Sequence, residues 1–363
     1  MNDDERIISD IFDNANNRIT KDLNVYITSL DNKRQFKACY QRMKQSKKFK
    51  LDMTTAFQSR DFWKSLDDCG SWVEFRYYNK IDTLKVQNAN FCKRDKLCPA
   101  CAIRRAYKQQ LKFMEILQSK RELIDLDWFY IVVPVRHSVN ESYDVVFNRV
   151  ESVRKKITMS MRDAKRGKGN NFWSVFNGGM YSTETTKTPN GWNIHLNLII
   201  NAPKGTKITL NRHNQAQELE EWLKVYAEGS YVHNIQQIRE RPHRESSRND
   251  NEEKRDEATT ERALGEDKRV PGQEEKTQAL RDGIVEVLKY SLKFSSLSSF
   301  DLLEVYIRTY RKRLFGTFGN MRGVGLENVD LSGNLELDSE FIELIYRRIQ
   351  DSSYVLHSKS YHH

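Results

Sequence analysis

No apolar run in the chain approaches the roughly 18 residues that crossing a bilayer requires, and none follows Met1 as an export signal would. The start, Met1-Asn2-Asp3-Asp4-Glu5, is acidic and polar, so a cytoplasmic protein with no membrane partner is expected. Disulfides are disfavoured as well, because five cysteines are an odd number and a reducing compartment keeps thiols free. Aromatic residues are absent from 241 to 283, where charges of both signs crowd together. Such a stretch cannot bury enough apolar surface to offset its ordering entropy, so a disordered surface insertion is expected at about 241–280. Internal repeats are missing too. The glycine-rich segment Phe315–Gly323 lacks the Gly-Lys-Ser/Thr ending of a phosphate-binding loop, which excludes that reading and leaves a loop or edge strand.

What is present begins with size and charge. A chain of 363 residues has room for a sizeable core and for two or three domains. Sixty Lys and Arg against fifty Asp and Glu leave +10, which favours a polyanionic partner, either nucleic acid or an anionic surface. Residues 1–60 hold a basic run from Lys33 to Lys50 interleaved with Phe36, Tyr40 and Phe49. That mixture suits a nucleic-acid backbone and equally suits a solvated amphipathic helix.

Cys92, Cys98 and Cys101 follow a Cys-x5-Cys-x2-Cys spacing, and Cys69 lies upstream. Four soft thiolates suit a closed, structural Zn²⁺ site within a module spanning 61–125. The alternative, a redox Cys-x-x-Cys pair, lacks a thioredoxin-like strand and helix around it. Arg94, Arg104, Arg105 and Lys108 would offset the thiolate charge and are candidate phosphate contacts. Cys39 reads as an ordinary free thiol.

Alternation and β-branched or aromatic content mark Trp72–Tyr77 and Trp128–Val135 as strands. Ser142–Arg166 reads as a helix with Val145, Val146, Val150, Val153 and Ile157 turned inward. From Gly178 to Asn201 two β-like runs flank the turn Pro189-Asn190-Gly191. A hairpin centred there sets Glu184 opposite His195, and the period of two puts Asn193, His195 and Asn197 on that same face. The donor set of Glu184, His195 and Asn197 suits Mg²⁺ or Mn²⁺. Residues 215–228 read as a helix, 231–238 as a strand, 302–313 as a basic-ended helix and 339–349 as a last helix packing through Phe341, Ile342, Leu344, Ile345 and Ile349.

One stretch organises the rest. In Ile284–Lys293 the apolar residues Ile284, Val287, Leu288 and Leu292 form one helical stripe, while Glu286, Tyr290 and Lys293 stack on another face. A carboxylate, a phenol and an ammonium share that edge, which also fits an exposed helix face with an ion pair.

The ordered set of motifs resembles the rolling-circle replication initiators of small plasmids, a branch of the HUH endonucleases typified by Gram-positive plasmid Rep proteins. The cysteine run with Arg104-Arg105 comes first, then Glu184 with His195-Leu196-Asn197 similar to a His-x-His metal strand. Last comes Glu286-Val287-x-Lys289-Tyr290-x-x-Lys293, similar to Glu-Val-x-Lys-Tyr-x-x-Lys. Asn197 stands where the family usually has histidine. The resemblance implies an α+β fold: a central antiparallel sheet of about five strands flanked by helices over 126–300, an upstream zinc module and a C-terminal helical extension over 301–363. It also implies Tyr290 as nucleophile, Glu286 as activator of water at termination, and Lys293 orienting phosphate. Lys289 would join Arg94, Arg104 and Arg105 on the DNA. Implied partners are single-stranded or hairpin origin DNA and a host helicase; a second copy of the chain is a further candidate, with the oligomeric state left open. An HUH transposase or relaxase, or a non-catalytic zinc protein that regulates replication, are the alternatives.

Overall fold

A computed structural model describes residues 3–45, 60–228, 230, 233–238, 279–280, 283, 297–326, 340–349 and 353–362. The class is α+β, and the described residues form six α-helices and two antiparallel sheets, one of four strands and one of five. The chain divides into two compact units, 1–104 with 243–268 and 330–363, and 105–242 with 269–329.

In the first unit the strands β1 (Trp72–Tyr78) and β2 (Thr83–Ala89) form a hairpin. Its sheet continues through β8 (Phe341–Ile349) and β9 (Ser353–His362), in the order β2-β1-β8-β9. Two helices belong to the unit, α1 (Asp3–Gln45) and α2 (Arg60–Asp67), and α3 (Pro99–Ser119) begins in it. Phe36 and Tyr40 of α1 pack on Trp63 of α2 at ring separations of 5.9 and 5.0 Å. Lys37 adds an ion pair to Asp67 at 2.8 Å.

The tail corrects the expected helical extension: 341–349 is a strand. Its apolar spacing fits either element, but only alternate residues, Ile342 and Leu344, are fully buried. Pairing with β1 on one side, from Trp72 opposite Arg347 to Tyr77 opposite Ile342, and with β9 on the other satisfies its backbone and decides the matter.

The second unit is built on the five-stranded sheet, ordered β6 (Asn234–Ile238), β3 (Asp127–Pro134), β5 (Gly191–Ala202), β4 (Gly178–Thr188), β7 (Phe315–Gly319). The glycine-rich segment is thus an edge strand. Helix α4 (Tyr143–Lys165) covers one face with Val146, Val150, Val153 and Ile157. On that face Ile194, Leu196, Leu198 and Ile200 are at most 1 % exposed. Val145, expected inward, is 46 % exposed, since it falls just off the stripe that points at the sheet. Helix α5 (Gln217–Tyr226) buries Leu219, Trp222 and Leu223, and α6 (Ser299–Arg308) buries Leu302, Leu303, Val305 and Tyr306.

The opposite face of this sheet is divided. At one end Trp128, Met180 and Ile199 pack with Phe113, Ile116 and Leu117 of α3 and with Leu280, Met321 and Leu326. At the hairpin end the same face is polar. The expected insertion falls outside the described residues except for its last two, of which Leu280 is a core residue because its side chain fills this cluster.

Candidate functional site

The turn that aligns β4 with β5 is the two-residue Pro189-Asn190, and Gly191 follows with φ +102°, a left-handed value in which a Cβ would strike the Ser138 carbonyl. With the turn set, the ladder pairs Glu184 with His195 and Ser182 with Asn197. Directly paired residues share a face, so Glu184, His195 and Asn197 converge. Glu184 Oε2 accepts from His195 Nε2 at 2.9 Å and from Asn197 Nδ2 at 2.9 Å. Glu184 is 4 % exposed, whereas the His195 side chain is 16 % exposed. Burying a carboxylate is costly unless it is hydrogen-bonded, and His195 and Asn197 supply two donors to Glu184 Oε2.

Strand β3 adds a residue that sequence reasoning missed. Tyr130 lies on the same face and its hydroxyl donates to Asn197 Oδ1 at 3.0 Å. The amide thus has its nitrogen on Glu184 and its oxygen on a phenol. For Asn197 to offer oxygen to a cation beside Glu184, the amide has to turn over. The alternation of Trp128, Tyr130 and Val132 was the available sign, but an aromatic in an apolar run reads as packing.

Tyr290, Glu286, Lys293 and Lys289 lie outside the described residues.

The chain matches no family model, no curated protein and no solved structure.

The cysteines form a second constellation. Cys69 ends the segment after α2, Cys92 follows β2, and Cys98 and Cys101 bracket the start of α3. All four are buried, and their sulfurs lie within 4.8 Å of one another. The separations are 3.6 Å for Cys69–Cys98, 3.8 Å for Cys69–Cys101 and 3.5 Å for Cys92–Cys101. Four ligands at the usual Zn–S length on tetrahedral corners stand about 3.8 Å apart, so the cluster fits one ion of that size. Hydrogen bonding among the four thiols pushes Cys69 and Cys98 down and Cys92 and Cys101 up, so they hold their protons as one cluster. Cys39 stands apart as a free thiol.

Gly70 makes the approach to Cys69 possible. Its φ is +72°, and a Cβ there would lie 2.6 Å from the Tyr26 ring. Its carbonyl accepts from the Tyr354 hydroxyl of β9. Arg348 of β8 donates to the carbonyls of Asp67 at 2.6 Å and Cys69 at 3.3 Å.

Of the arginines expected near phosphate, Arg104 is buried and donates to the carbonyls of Val86 at 2.7 Å and Gln87 at 2.9 Å, which ties α3 to β2. Arg94 lies over the Phe62 ring at 4.1 Å, and Arg105 is half-buried. One cation beside the thiols is one the motif did not include, Lys33 of α1, which is 3 % exposed. Burial works against its charged form, yet Cys98, Cys69 and Cys92 together raise its pKa above the ordinary lysine value.

Proposed function

We propose that the chain is a rolling-circle replication initiator of the HUH type, a metal-dependent endonuclease and strand transferase that nicks one strand at an origin. The observation that carries this reading is the convergence of Glu184, His195 and Asn197 on a five-stranded antiparallel sheet, joined to the Glu286…Tyr290…Lys293 motif. Glu184 and His195 would hold Mg²⁺ or Mn²⁺, and the amide of Asn197 would complete the set. Such an ion, when bound, draws charge from the scissile phosphate.

In the reaction, the Tyr290 oxygen attacks phosphorus and loses its proton. The bond to the 3′-oxygen breaks, and that oxygen takes up a proton to give a free 3′-hydroxyl primer. The 5′ end stays on Tyr290 as a phosphodiester, which conserves the energy of the broken link. Lys293 would steady the phosphate, and at termination Glu286 would accept a proton from the water that releases the protein. Zinc on the four cysteines has a structural role in this reading, and the basic excess of +10 suits a DNA partner. A host helicase and a second copy of the chain are its expected protein partners.

Labelled single-stranded oligonucleotides tiled across the DNA flanking the coding sequence provide the test, with Mn²⁺ or Mg²⁺ and denaturing gels. The expected result is metal-dependent cleavage with a covalent protein–DNA band that Tyr290→Phe abolishes. Glu184→Gln is expected to lose cleavage by more than ~100-fold. Cleavage that persists in Tyr290→Phe would sink the assignment. Tight binding without cleavage by the unaltered protein would favour the non-catalytic regulator. That second reading has one observation on its side, the Asn197 nitrogen rather than oxygen facing Glu184.

A further inference from the structure

We infer that the buried ammonium of Lys33 is the counter-charge of a metal–tetrathiolate site, which makes helix α1 part of that site rather than a neighbour of it. Four thiolates around one divalent ion form a net dianion, and a dianion inside a protein is costly without a compensating charge. Three residues of α1 meet the cysteines. Tyr26, Ser29 and Lys33 follow each other at three and four positions, one stripe of the helix. Tyr26 packs against Gly70, beside Cys69. Ser29, with no exposed surface, accepts the Ala100 amide at 3.0 Å, inside the turn between Cys98 and Cys101. Lys33, the next residue of that stripe, is 3 % exposed and buries its nitrogen on the cysteine side of the helix. Among the described residues no oxygen accepts from its nitrogen, which has no exposed surface. A lysine buried with sulfur for company has one use that offsets its desolvation: balancing thiolates. Arg104, the other buried cation of the module, is bonded to carbonyls of β2.

Holding the ion and holding α1 are then one event. The site takes a divalent, thiophilic ion such as Zn²⁺, and Lys33 lowers the dianion to a monoanion. This assignment does not depend on the nuclease reading.

The full chain, Lys33→Met and Lys33→Arg would be loaded with Zn²⁺ or Co²⁺ alone. Affinity is read by chelator competition, the ligand set by the thiolate-to-Co²⁺ absorption band, and the melting temperature with and without metal. Lys33→Met is expected to bind Zn²⁺ about 10- to 100-fold more weakly with the tetrathiolate band retained, and Lys33→Arg to recover most of the affinity. In Lys33→Met the melting temperature of the metal-free form should not fall, because an apolar side chain replaces a buried charge. An unchanged affinity in Lys33→Met overturns the assignment. So does an equal loss in both variants, or a metal-free melting temperature that falls as far as the loaded one, since each marks Lys33 as packing alone.

Discussion

Asn197 is the residue on which the nuclease reading turns. Its amide spans two partners, donating to Glu184 at 2.9 Å and accepting from Tyr130 at 3.0 Å. The phenol competes with any cation for the one side-chain oxygen of Asn197. Tyr130→Phe removes that competitor and frees the amide to turn its oxygen toward Glu184 and His195. The expected outcome is tighter Mn²⁺ binding by up to about tenfold, worth about 1.4 kcal/mol, measured by titration calorimetry or by the loss of the free-Mn²⁺ resonance. Weaker binding would mean that the phenol supports the site instead. Neither the pairing of Glu184 with His195 nor the shared face of Asn197 depends on this, since both follow from the hairpin register.

At the scale of elements, α4 shows how a single helix sorts its own residues. Val146, Val150, Val153 and Ile157 lie on one stripe at 1 % exposure or less, against the apolar face of the sheet. Val145 is one position off it and 46 % exposed. Ile157→Ala is expected to cost about 2–5 kcal/mol through lost burial and a residual cavity, whereas Val145→Ser should stay within ~0.5 kcal/mol. Denaturant melts of the two variants check this directly. The same logic explains how much of each element was readable. The hairpin 178–202 was legible because a turn sequence and strict alternation agree. The strand at 341–349 was not, because Phe341, Ile342, Leu344 and Ile345 suit a helical stripe equally well. Of its two partners, β9 follows it directly in the chain, while β1 lies more than 260 residues earlier.

The whole molecule joins a unit organised around four cysteines to a unit organised around a five-stranded sheet. Each has its own core, and only the first contains the cysteine cluster. Metal removal is therefore expected to act on one unit. Chelation should release one ion per chain and lower the first unit's transition in calorimetry, while the second unit's transition, resting on Trp128, Met180, Ile199 and their neighbours, stays in place. A single transition that shifts as a whole would show that the two units unfold together. None of the described helices is long and apolar enough to cross a membrane.

The sequence by itself determined whatever depends on near neighbours. It set the Glu184–His195 pairing through a two-residue turn, the apolar stripe of α4 through its period, and which four cysteines cluster through their type and spacing. Tertiary structure alone decided three things: that the tail is a strand, that Asn197 is shared with Tyr130, and that Lys33 of α1 stands beside the thiols. Each joins residues from different elements. Their meeting depends on which surfaces the folded chain brings together and which buried charges it then has to balance, and no local pattern encodes either.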